Sequence, residues 1–484
     1  MNVGELRRRG EEMCGELGLE SYRTGAGLTA ESHYAEIFGR YPDLADEQAV
    51  EVARGHRELL EWVVDNRVGH AVAALDDRLH AWEARAVVAL PGGETLPYQR
   101  AAIEIANEPQ RPRRLAIEGA RRAVLKEPSA IREQRLSLER EMLATLGMGD
   151  QVAARSALSG VDLPALGAAC AGFLAATADL YHGTLREVLR GELSLAPGTA
   201  DRADAAYLFR GAGYDEFFPG SELVTTARRQ LAEMGLDAEA GGRIRYDADD
   251  RERKRSRAFC SPVHVPDEVY LVIRPFGGQT DYRAFWHELG HAQHFANIAR
   301  DLPFEHRWLG DNSVTEAFAM LFEHMVFAPS WLARYSGLRG ERQRAFRRSQ
   351  AFALLAILRR YAAKLRYELE LHRAPSLQAG AAAYAPLLSE ATGFRYASED
   401  ALLDLDDGFY AARYLRAWQL EALLATSLRD RFDEDWFRNP RCGQWLLDLF
   451  SRGQRDDAVA LAGAVLGRAL DFGPLVARAE AALA

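Results

Sequence analysis

Apolar residues recur at spacings of three and four along most of the chain. Over 47–84 they fall at Leu59, Leu60, Val63, Val64, Val68 and Ala71, and over 349–372 at Leu354, Leu355, Ile357, Leu358, Tyr361, Leu365 and Leu369. Both runs put an apolar stripe on one face of a 3.6-residue period, so both predict amphipathic helices. The pattern of a strand is firm only over 268–274 (EVYLVIR), which is β-branched, aromatic and closed by Pro275, and weaker over 243–246. The chain therefore reads as mainly α with a small β-sheet. Glycine and proline interrupt it at PGGETLP (91–97), at 159–164, at SLAPG (194–198), at Gly241 and Gly242, and at PFGG (275–278). A boundary near Pro197 is expected, separating an amino-terminal helical lobe, 1–197, from a second lobe, 198–484. No repeat of fixed period appears.

Composition narrows the class. With 484 residues, 48% hydrophobic and 27% charged, the chain has the make-up of an ordinary water-soluble globular protein. The net charge of −10 argues against nucleic-acid binding, which needs a concentrated basic face. The one basic run, RERKRSR (251–257), follows Asp247, Asp249 and Asp250 and reads as a solvated turn. Cys14, Cys170, Cys260 and Cys442 lie far apart with no CxxC pair, which excludes a thiolate zinc knuckle and a dense disulfide framework and suits a reducing, cytoplasmic setting. The opening MNVGELRRRGEEMCGEL lacks the apolar core of a signal peptide. The longest uncharged stretches, 163–178 and 374–389, fall short of the ~20 apolar residues that span a bilayer. No membrane partner is expected.

The chemistry concentrates in HELGH (287–291), inside a run, DYRAFWHELGHAQHF, that is helical in character apart from Gly290. Residues four apart on a helix differ by about 40° around its axis, so His287 and His291 point the same way and can share one Zn2+ ion. Glu288 lies about 100° further round. From there it cannot complete the ligand pair, but it can take a proton from a water at the ion. Phe285, Leu289, Ala292 and Phe295 keep the same helix packed, and Trp286 reads as core. His294, at seven residues from His287, is left unassigned, and a histidine at that offset is more often exposed. His264, His306 and His324 lack helical spacing to the pair and read as structural.

A catalytic zinc site needs a third protein ligand and keeps one position open. Downstream, GDNSVTEAFAMLFEHM (310–325) predicts an apolar helix carrying Glu316 and Glu323, with Phe318 and Phe322 in its core. Glu316 lies 25 residues after His291, enough for the first helix to end and a second to return alongside. Ser313 to Glu316 also fits a capping box, in which the glutamate only caps its own helix. Glu323 is the fallback ligand.

HELGHAQHFANIARDLPFEHRWLGDNSVTEAFAMLFEH resembles the zinc core of the gluzincin metallopeptidases, nearest the thimet oligopeptidase and oligoendopeptidase F group and more distantly angiotensin-converting enzyme and carboxypeptidase Taq. The resemblance covers roughly 203–453. It implies that Glu316 is the third ligand, that KRSRAFCSPVHVPDEVYLVIRPFGG supplies sheet beside the zinc helix, and that a cleft between two helical lobes admits short peptides. Those families also aim a tyrosine at the oxyanion. Within DDGFYAARYLRAW, Tyr414 is similar to the Arg-Tyr-Phe of angiotensin-converting enzyme and Tyr410 to the Gly-Tyr of the oligopeptidases, and Tyr414 is favoured. Two departures stand out. The acid that many gluzincins carry four residues past the ligand glutamate is Met320 here, leaving Asp311 and Glu323 to orient a histidine, and where the oligopeptidases have a histidine just before the tyrosine pair this chain has Asp404, Asp406 and Asp407.

The resulting expectation is a metallopeptidase with one Zn2+ held by His287, His291 and Glu316, Glu288 as general base, and Tyr414 or Tyr410 on the oxyanion. The alternatives are a zinc hydrolase of a non-peptide amide and a non-catalytic helical scaffold with a degenerate site. An iron or manganese enzyme suits a His2Glu set less well.

Overall fold

The computed structural model describes every residue except Ala30. It is 70% helical with two small sheets, a mainly α fold. The elements used below are, in chain order, α1 (Val3–Gly25), β1 (Val87–Ala89), β2 (Thr95–Pro97), β3 (Ile244–Asp247), β4 (Phe259–His264), β5 (Glu268–Val272), α2 (Gln279–Ala296), α3 (Asn312–Met325) and α4 (Tyr410–Phe432). Two compact units emerge from the residue contacts. The first comprises Met1–Arg67, Ala212–Arg347 and Arg416–Leu475, the second Val68–Gly211, Arg348–Leu415 and Val476–Ala484. Both draw on residues from either side of Pro197.

In the first unit, β5 is the central strand, parallel to β3 and antiparallel to β4. Its Val269, Leu271 and Val272 are buried, which is why this was the strand most legible in the sequence. β4 was not predicted from its own pattern, because FCSPVH carries a proline and only weak alternation. Pro262 is tolerated because β4 is an edge strand. Helix α1 covers β4: Ser261 Oγ donates to the Gly18 carbonyl at 2.7 Å, and a Cβ at Gly18 would come within 2.1 Å of the Pro262 carbonyl oxygen. Helix α2 packs on β4 and β5.

The basic run after β3 is not wholly solvated. Lys254 is buried, donating to Asp247 Oδ1 at 2.7 Å and to the carbonyls of Asp247 and Asp249 at 2.8 and 2.9 Å. Desolvation by burial lowers its pKa despite the adjoining carboxylate.

The helix expected over 47–84 is broken. Asp46 caps Glu47–Ala53, the chain turns through Arg54 to His56, and a long helix, Arg57–Arg85, follows. Gly55 sits in that turn, where its poor helix propensity, about 1 kcal/mol below alanine, favours the interruption. The second expected helix, 349–372, lies inside Gly340–Arg373.

In the second unit the PGGETLP breaker closes a hairpin, β1 against β2, that the pattern did not reveal. Val88, Leu90 and Leu96 from it join Ala101, Ile105, Ile117 and Ala203 in a core cluster. The four cysteines are free. No single helix among the described residues is long and apolar enough to cross a membrane, although the bent pair Gln151–Ser159 and Leu163–Ala176 passes by length and composition alone.

Candidate metal centre

HELGH lies in the second half of α2, whose buried side carries Phe285, Trp286, Leu289, Ala292 and Ala296, each with no exposed surface. Trp286 Nε1 donates to Gln230 Oε1 at 3.1 Å, so the large ring is satisfied as well as packed. Gly290, which interrupts the helical composition, is required by packing. A Cβ there would stand 2.7 Å from both Ala319 Cα and the Phe318 carbonyl oxygen. The missing side chain lets α3 approach α2 closely, at the level of the two histidines.

Helix α3 is capped by Asp311, whose carboxylate accepts from Ser313 N at 3.0 Å. Ser313 therefore sits inside the first turn, and the capping-box role for Glu316 is not realised. Asp311 also accepts from Ala458 N at 3.0 Å and pairs with Arg416 at 3.2 Å. It anchors the start of α3 and orients neither histidine.

Glu316 faces the histidines. Its Oε2 is 3.3 Å from His287 Nε2 and 3.5 Å from His291 Nε2, and the three side chains retain only 8%, 18% and 14% of their exposure. Each imidazole has its other nitrogen engaged: His287 Nδ1 is 3.0 Å from Glu323 Oε2 and His291 Nδ1 is 2.9 Å from Thr315 Oγ1. An imidazole donating through Nδ1 presents a bare Nε2, the form that binds metal. Glu323 is held in turn by Arg283, through Nε at 3.1 Å and a terminal nitrogen at 2.6 Å. Of the two residues considered for orienting a histidine, Glu323 takes that position. Thr315 and Arg283 were missed because a threonine and an arginine carry no motif signal of their own.

The charges around His287 are strongly coupled. Burial alone would lower its pKa, but Glu316 and Glu323 outweigh burial and raise it to about 10. Burial would raise the Glu316 pKa, yet His291 and His287 hold it well below the ordinary carboxylate range, and Arg283 and His287 do the same for Glu323. The pocket thus favours positive charge where the three donors converge.

Those donors fit a tetrahedral divalent ion. Ligand atoms about 2.0–2.1 Å from such an ion stand roughly 3.3 Å apart, and the two Nε2 to Oε2 separations are 3.3 and 3.5 Å. All three ligand atoms lie within 4.8 Å of one another. The donor set, two imidazoles and one carboxylate, is compatible with a divalent metal ion. Glu288, adjacent to His287, accepts from Cys260 N on β4 at 2.9 Å through Oε2.

The remaining histidines lie elsewhere. His294 is completely buried among Phe295, Phe318 and Phe450, contrary to the exposure typical of its offset, and burial holds its pKa at about 3. The His264 side chain is 63% exposed, and His324 Nδ1 lies 3.2 Å from Glu421. Phe318 and Phe322 are core, as expected. Tyr410 and Tyr414 lie one turn apart near the start of α4, with ring centroids 5.0 Å apart and Tyr361 packed 5.5 Å from Tyr414. They belong to the second unit, whereas His287, Glu288, His291 and Glu316 belong to the first.

No family model and no curated protein matches the sequence. Solved structures do match in fold. A candidate peptidase from Chlamydophila abortus superimposes with a TM-score of 0.67 at 12% identity, over 99% of this chain and 89% of that one. A protein named BsuCP superimposes with a TM-score of 0.55 at 14% identity, over 99% of this chain and 97% of that one.

Proposed function

We propose that this chain is a zinc-dependent metallopeptidase of the gluzincin type that hydrolyses short peptides, with one zinc ion held by His287, His291 and Glu316. The reading is carried by one observation: two imidazole Nε2 atoms and the Glu316 carboxylate converge at ligand spacing while both Nδ1 atoms are engaged by other groups. The shared fold with a candidate peptidase supports it.

A bound zinc ion would supply Lewis acidity, polarising the scissile carbonyl and lowering the pKa of a water to near 7. Glu288 takes the proton of the attacking water and delivers it to the leaving amine. Glu323, backed by Arg283, and Thr315 hold the two rings in the ligating tautomer.

The test is metal content together with hydrolysis of a short-peptide mixture, with and without chelator, followed by mass analysis of the fragments. About one equivalent of zinc and chelator-sensitive cleavage are expected. Glu288→Gln should keep the metal and lose activity by about 10²- to 10⁴-fold. A glutamine variant with full activity removes Glu288 from the mechanism. Zinc binding without cleavage of any peptide, but with cleavage of other amides, replaces the peptidase by an amidohydrolase.

A further inference from the structure

Glu288 is tied to a second element. In an antiparallel pair, alternate residues turn their N–H away from the partner strand. Cys260, opposite Leu271 on edge strand β4, is one of these, and its N–H donates to Glu288 Oε2 at 2.9 Å. Two residues on, in the same orientation, Pro262 has no N–H to donate. The Glu288 carboxylate is therefore attached both to its own helix, α2, and to β4, which packs against α2. A glutamate held only by its helix has three side-chain torsions to fix, at a rotamer-entropy cost for each productive encounter.

We propose that Cys260 is a positioning residue whose main-chain N–H holds the Glu288 carboxylate in one orientation beside the His287, His291 and Glu316 donors. The proposal rests on the reading of Glu288 as the general base. The thiol is not involved; the requirement is an outward N–H at this place on β4.

A pair of substitutions separates the main chain from the side chain. Cys260→Ala keeps the N–H. Cys260→Pro removes it without breaking the ladder, because proline is tolerated where an edge strand turns its N–H outward and Phe259 already has the extended conformation that precedes proline. C260A should retain kcat and KM within about twofold, whereas C260P should lose on the order of 10- to 100-fold in kcat, the scale of a misplaced catalytic group, with KM and zinc content unchanged. A C260P enzyme with the kcat of C260A overturns the proposal.

A second measurement needs neither the proline variant nor turnover. Protein labelled with 15N only at cysteine gives four amide signals, and C260A identifies the one from Cys260 by its loss. In Glu288→Ala that amide proton should move upfield as its carboxylate acceptor disappears; an unmoved signal overturns the proposal. If the wild-type protein cleaves no peptide, the functional reading fails, and the amide shift alone decides whether the anchor exists.

Discussion

Arg121 in the second unit is buried between Glu118, met by two bonds of 2.8 and 2.9 Å, and Asp400 at 2.7 Å, with Arg202 a further 3.0 Å from Asp400. In the first unit the side chains of Glu316 and Glu323 are also largely enclosed, 8% and 14% exposed, but each has an oxygen facing an imidazole. The difference lies in whether the positive charge can be given up. A guanidinium stays charged at any physiological pH, so the Arg121 network is permanently neutralised and reads as structure. An imidazole can exchange its proton for a metal ion, so the same burial of carboxylates creates a place that a divalent cation can take over.

Replacing one member on each side breaks the comparison. The largest effect is expected from His291→Ala, which removes a ligand. Zinc should fall to background, and hydrolysis should drop by several kcal/mol of transition-state stabilisation, about 10³-fold or more, as read by metal analysis and turnover together. Arg121→Leu should cost about 3–5 kcal/mol of stability in denaturant unfolding, because two buried carboxylates lose their shared partner. Zinc affinity should not change.

Smaller substitutions sharpen the comparison within the metal centre. Glu323→Gln keeps the shape and removes the charge behind His287, so a 10- to 100-fold weaker zinc affinity is expected in competition with a chromogenic chelator. Thr315→Val should weaken it less, by about 10-fold or under, since a neutral hydroxyl polarises His291 less than a carboxylate polarises His287. Equal losses in the two variants would remove the distinction between an ionic and a neutral partner.

Much of the architecture was legible because periodicity is a local property. The long helices, the buried strand β5 and the pairing of His287 with His291 on one face of α2 all follow from which residues recur at which interval. Local signals failed where context overrode them. Gly55 split a continuous-looking helix, a glycine-rich breaker became the β1–β2 hairpin, and Lys254 was drawn inside by Asp247. His294 was buried by aromatic neighbours that arrive from α3 and from the helix ending at Phe450.

By itself the sequence determined two imidazoles and a neighbouring carboxylate on one helix, since a turn of 3.6 residues places side chains four apart together whatever surrounds them. It did not decide whether Glu316 caps its own helix or faces the two imidazoles, nor whether Asp311 or Glu323 stands behind a histidine. Those outcomes depend on how closely α3 lies against α2, a distance set by the absent side chain of Gly290 and by Asp311 capping the helix one residue ahead of Asn312. Such distances belong to pairs of elements, and no spacing along a single chain encodes them directly.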